Sequence, residues 1–145
     1  MNRRMRLTLL ALVLVAGAYF VNVEVQSWLG RRALAQTGVH FLDFDQATQA
    51  AQTSGKPLLV YVSAIWCPNC RHFDQNVWSD PEFNKIAQEK FTICRLEFED
   101  ERTQAKIKAW GTRGFPQLLI LQGDQVKPVQ VLHDPKAMLD VLGLR

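Results

Sequence analysis

Two cysteines separated by two residues, Cys67-Pro68-Asn69-Cys70, stand directly after Trp66 and close behind the apolar, β-branched run Leu58 to Ser63 (LLVYVS). A short run of this kind reads as a strand buried on both faces, and such a strand needs helices packed on each side of its sheet. The residues after the cysteines, Arg71 to Trp78, suit a helix. The cysteine pair is therefore expected at a strand-to-helix turn, at the carboxyl end of a buried strand, where sites in α/β sheets tend to lie.

The rest of the chain fits that frame. Asp43-Phe44-Asp45-Gln46 opens a helix that runs to Gly55, with an acidic cap and a glutamine following it. Ser79-Asp80-Pro81-Glu82 restarts a helix, read with Ser79 as cap and Glu82 closing the box. Phe91 to Phe98 is a second strand, Glu101 to Trp110 a helix closed by Gly111, and Gln117 to Leu121 a third strand. The turn Gln122-Gly123-Asp124-Gln125 leads into a fourth strand near Val126 to Leu132, and a last helix starts at about Asp134. The predicted fold class is α/β: a central mixed β-sheet flanked by helices, with parallel crossovers first and one antiparallel hairpin at the end. A chain of 145 residues has room for one such core.

Ahead of this domain, Leu7 to Val21 is almost continuously apolar, and Val23 and Val25 extend the run past Asn22 and Glu24. Its length falls between a signal-peptide core and a membrane span. Arg3, Arg4 and Arg6 outweigh Arg31 and Arg32 on the far side, so both readings place the domain outside the cytoplasm. Ala33-Leu34-Ala35 has the form of a cleavage site, whereas the basic connector from Asn22 to Arg32 and the aromatic Trp28 favour an uncleaved anchor. The chain is thus divided into an anchor or signal segment with its connector, 1–35, and the α/β domain, 36–145. The net charge of +3 comes from the arginines flanking the apolar run, which argues against a nucleic-acid partner.

Chemistry follows from the cysteine turn. A helix N-terminus favours negative charge, so Cys67 should ionise more readily than a free thiol and act as nucleophile, with Cys70 resolving the mixed disulfide. Pro68 stiffens the turn and Asn69 adds no charge, so this pair tunes the couple through sterics and hydrogen bonds. Trp66 is placed to cover the disulfide and meet a partner. Half of a zinc site and a purely structural disulfide are the competing readings; the first lacks a second ligand pair, and the second would close too short a loop to add much stability. No resident metal or cofactor is called for. Cys94, in the second strand, reads as a buried small hydrophobe, and His40, His72 and His133 as scattered surface or packing residues.

With these residues in view, the chain resembles the thioredoxin family. Trp66-Cys67-Pro68-Asn69-Cys70 is similar to the family's W-C-x-x-C site, and Gly111-Thr112-Arg113-Gly114-Phe115-Pro116 is similar to its loop ending in proline. Gly55 to Val60 and Trp78 to Phe83 resemble more closely still the C-terminal periplasmic domain of thiol:disulfide interchange proteins of the DsbD type and its single-domain relatives. The resemblance implies that Pro116 is a cis-proline facing the disulfide and that Phe115 offers backbone groups to a partner strand. It also implies a thiol-disulfide oxidoreductase on a bacterial inner membrane, its domain in the periplasm. Such a protein would act on protein thiols and disulfides and be recharged by a membrane electron-donor protein. Disulfide oxidation or isomerisation, or thiol-based binding of a partner or metal, are the alternatives. One departure stands out: where the family commonly buries an aspartate that assists the second cysteine, this chain has Tyr61, so either resolution relies on water or another carboxylate, with Glu97 a candidate, or the protein turns over slowly.

Overall fold

The computed structural model describes residues 2–145. A single long helix, α1 (Arg3–Gln36), leads into α2 (Phe44–Ser54), β1 (Leu58–Ser63), α3 (Pro68–Phe73), α4 (Pro81–Lys90), β2 (Thr92–Glu97), α5 (Glu101–Ala109), β3 (Gln117–Gln122), β4 (Gln125–Val129) and α6 (Pro135–Val141). The sheet order is β2-β1-β3-β4. β2 runs parallel to β1, while β3 is antiparallel to β1 and β4 antiparallel to β3.

The sequence reading expected more than one parallel crossover, and only the one from β1 to β2 forms. After α5 the loop through Pro116 brings the chain back to the carboxyl end of β1, where Gln117 pairs with Val62, so β3 must run the other way. That return places the loop beside the cysteine turn.

All six residues of β1 are buried. Their alternation builds the two halves of the core, as period-two geometry requires. Leu59 and Tyr61 face Phe73, Trp78, Phe83, Leu118 and Met138, and Leu58, Val60 and Val62 face Ala47, Leu96, Ile107 and Leu119. Fully burying one aliphatic or aromatic side chain is worth about 1.5–3 kcal/mol, so the central strand anchors the turn that follows it.

Local signals set the helix ends. Asp43 accepts a hydrogen bond from the Gln46 amide at 2.8 Å, and α2 stops at Gly55, whose φ of 71° is left-handed and free of strain only for glycine. The expected box at Ser79 and Glu82 does not form. Asp80 caps α4 instead, accepting from the Phe83 amide at 2.8 Å, because Pro81 takes the first helical position. Ser79 turns back to the Asp74 carbonyl at 2.8 Å, closing a π-helical turn, Asp74–Trp78, that continues α3.

The C-terminal third of α1 packs on the domain. Ser27, Gly30, Ala33 and Thr37 are buried there, and the contacts reach α3 and its π-helical extension. Most of the preceding apolar face is exposed, including Leu12, Val15, Tyr19 and Phe20.

Candidate active site

Cys67 is the N-cap of α3, in extended backbone, with Pro68 at the first helical position. Its Sγ accepts a hydrogen bond from the Cys70 amide at 3.3 Å. A sulfur held at a helix start gains from exposed amides and from a neighbouring thiol proton. The Cys67 thiol is lowered to about 6, chiefly by the hydrogen bond from the Cys70 side chain, with help from the Cys70 and Asn69 amides and against the cost of burial. Cys70 moves the other way. Its hydrogen bond to Cys67 and its burial push it far above the usual thiol range, with hydrogen bonding from Ser63 a weaker opposing effect. One sulfur is thus ready to attack while its neighbour keeps its proton. Both thiols are free, and Cys67 is 8% exposed against 1% for Cys70.

The predicted partner-facing residues come together around this pair. The Phe115–Pro116 peptide is cis, and the Phe115 carbonyl lies 4.0 Å from the Cys67 sulfur. Phe115 packs on the small cluster of Ala64, Cys67 and Cys70, and its ring meets Phe98 at 4.9 Å between centroids. Trp66 is 36% exposed, and its indole N–H donates to the Glu99 carboxylate, which fixes the ring beside the turn.

Tyr61 does not stand alone where an acid was expected. Its hydroxyl donates to Asp74 Oδ1 at 2.9 Å and also lies 3.3 Å from the Cys70 carbonyl. Burial and the Asp74 charge hold the phenol well above its ordinary value, so it remains a donor. Asp74 Oδ2 pairs with Arg95 at 3.0 Å, Arg95 binds Glu97 at 2.5 Å, and Arg95 also donates to the Ser63 hydroxyl at 2.9 Å. Asp74 and Arg95 have side chains only 1% and 5% exposed. Burial raises the Asp74 carboxyl against the pull of Arg95, and the Asp74 charge in turn pushes Cys67 up. The buried carboxylate beneath the cysteines therefore comes from the helix after Cys70 and not from β1.

Sequence reasoning missed Asp74. The available signal was its position one helical turn after Cys70, which puts it on the same face. Glu97, put forward in its place, is engaged by Arg95. Cys94 is fully buried, and burial followed by the Asp43 charge pushes its thiol up to about 12, as suits a core residue. The histidines are less scattered than the sequence suggested: His72 and His133 meet at 3.1 Å between Nδ1 atoms, and burial together with the His72 charge lowers His133. No cluster of three metal-binding side chains occurs among the described residues.

Comparison with known proteins agrees with this geometry. The model of a family described as thioredoxin-like matches residues 39–123. The thiol:disulfide interchange protein DsbD of Escherichia coli K12 is 29% identical over 121 residues, covering 77% of this chain and 21% of that protein. The chain thus spans about a fifth of the length of the curated relatives it matches. Among solved structures, a thioredoxin from Thermus thermophilus superposes with a TM-score of 0.63 at 19% identity, covering 72% of this chain and 85% of its own. The oxidised C-terminal domain of Neisseria meningitidis DsbD superposes with a TM-score of 0.54 at 21% identity, covering 74% of this chain and all of its own. At these identities the superpositions establish the fold.

Proposed function

Since the chain belongs to the thioredoxin-like family and is a thiol-disulfide oxidoreductase, we propose that it is a reductase of protein disulfides, tethered to a bacterial inner membrane with its domain in the periplasm. In this reading residues 1–35 are the anchor and residues 36–145 the catalytic domain. The Cys67 thiolate attacks one sulfur of a client disulfide, forming a mixed disulfide and releasing the other client sulfur as a thiolate that takes a proton. Cys70 then loses its proton and attacks Cys67 Sγ, so the client leaves with both thiols reduced and the Cys67–Cys70 pair oxidised. Trp66, Phe115 and Pro116 form the surface against which the client lies, and Pro68 and Asn69 shape the turn.

The observation that carries the reading is the geometry of the turn: the Cys67 sulfur caps α3 beside the cis Phe115–Pro116 loop, its thiol lowered while Cys70 keeps its proton behind it, in a chain similar to the DsbD interchange proteins. Asp74 contributes by opposing negative charge on Cys67, which keeps the reduced form from becoming so stable that the pair would act as an oxidant. Burial of Ser27, Gly30 and Ala33 against the domain supports retention of α1, because removing it would expose that face. A dithiol spent in this way needs recharging, and a membrane electron-donor protein is the partner that fits the tether.

The test is catalytic. Full-length protein in detergent should reduce a model protein disulfide with dithiothreitol as terminal reductant, and Cys67→Ser should abolish turnover. Cys70→Ser, reduced beforehand and mixed with the client in the absence of dithiothreitol, should stop after one event with the client trapped on Cys67. Turnover that survives Cys67→Ser would remove this reading.

A further inference from the structure

The tether and the active site share a wall. Tyr19, Phe20, Asn22, Val23 and Gln26 of α1 line one side of an open cleft of about 520 Å³, and Trp66, Pro68 and Glu99 line the other. Two contacts lock that arrangement. Gln26 Oε1 accepts from Arg71 Nη1 at 2.5 Å, and Gly30 lies so close to the turn between β1 and α3 that a Cβ built on it would stand 1.9 Å from the Ile65 carbonyl oxygen. Any larger residue at Gly30 must push the helix away from the segment that carries Trp66 and Cys67.

The apolar run Leu7–Val21 reaches about 22 Å along a helix, or about 28 Å with Val23 and Val25 counted, against a hydrocarbon core of about 30 Å. Counted from Leu7, Tyr19 to Gln26 lie roughly 18 to 29 Å along the axis, in the outer part of a span of that thickness. α1 is one unbroken helix to Gln36, so no spacer lifts the domain from the end of the span. A short span is matched by drawing the lipid surface and the flanking residues together. The residues available suit a lipid interface: Tyr19 and Phe20 are 65% and 70% exposed, Trp28 is half exposed with the Arg32 guanidinium 4.9 Å from its ring, and Trp66 stands across the cleft.

We infer that the docked end of α1 holds the Trp66–Cys67 edge of the domain against the outer lipid interface, with lipid filling the cleft between α1 and Trp66. This inference rests on the membrane-tethered reading above and specifies where the site works. Disulfides displayed at the membrane surface reach Cys67 in preference to those on proteins free in solution.

The full chain in phosphatidylcholine–phosphatidylglycerol vesicles tests it. The fluorescence difference between wild type and Trp66→Phe isolates Trp66. Lipids carrying a nitroxide near the headgroup should quench most of that difference, and aqueous iodide should quench little of it. Strong iodide quenching with none from the lipid would place Trp66 in water and overturn the inference, as would a cleft filled by a peptide segment instead of lipid.

Gly30→Leu supplies a second readout. Wild type should reduce a lipid-tethered disulfide several-fold faster than the same disulfide in solution, after correction for surface concentration. Gly30→Leu should lose that preference while still reducing the soluble disulfide; an unchanged preference overturns the inference. Failure to reduce either disulfide in wild type would instead remove the reductase reading, and the Trp66 quenching would still decide the placement.

Discussion

Replacing Asp74 with alanine should cost stability and make Cys67 more acidic at once. In the folded chain Asp74 is all but inaccessible and binds both Tyr61 and Arg95. Removing it leaves a buried guanidinium with Glu97, itself 32% exposed, as its remaining acid. Loss of one partner of a buried pair typically costs 3–5 kcal/mol. Two features favour the lower end: the Asp74 carboxylate itself suffers from burial, and the Tyr61 hydroxyl still has the Cys70 carbonyl within reach.

We therefore expect a loss of about 3 kcal/mol, which at a urea slope of about 2 kcal/mol/M lowers the midpoint by about 1.5 M. Urea titration of the reduced full-length chain in detergent reads this. Because the Asp74 charge pushes the Cys67 thiol up, its removal should also shift the pH dependence of iodoacetamide reaction below the wild-type value of about 6. A midpoint change of under about 0.5 M together with an unmoved thiol titration would refute both halves of the argument.

Further outcomes follow from the same structure. The folded value of Cys67 is depressed, so its contribution to the stability of the reduced protein is fully present above the unfolded thiol value of about 8.5. It is lost as pH falls through about 6, and the stability gap between wild type and Cys67→Ser should therefore widen between those values in pH-dependent urea melts. Limited alkylation followed by mass spectrometry should modify Cys67 and spare Cys70 and Cys94 in the folded state, with all three labelled in denaturant. Asp80→Ala should cost about 0.5–2 kcal/mol by uncapping α4, whereas Glu82→Gln should stay within about 0.5 kcal/mol, because the cap is Asp80 and no box forms through Glu82. Tyr61→Phe should cost about 1–3 kcal/mol, since it takes the hydroxyl donor from buried Asp74 Oδ1.

The parts of this fold that were legible in the sequence depend on local chemistry. β1 announced itself as an uninterrupted apolar, β-branched run, and the cysteine pair behind it marked the strand-to-helix turn, although the helix starts earlier than expected, at Pro68. Asp43 and Gly55 delimited α2 for equally local reasons. What was hidden depends on residues distant in the chain. The antiparallel course of β3 is set by where the loop before Gln117 returns, which periodicity does not report. Asp74 became significant only because Tyr61 and Arg95, on two neighbouring strands, converge on it from the sheet. The closeness of Gly30 to Ile65 has no sequence signature either, since a glycine in an apolar helix is unremarkable until a backbone is found against it.

The most direct test of the central claim is the reduction potential of the Cys67–Cys70 couple, measured by equilibrating the full-length chain with glutathione redox buffers in detergent. The account expects a value close to that of thioredoxin, about −270 mV, as a reductase with a moderately acidic nucleophile requires. A value close to that of DsbA, about −120 mV, would contradict it and make the chain a donor of disulfides.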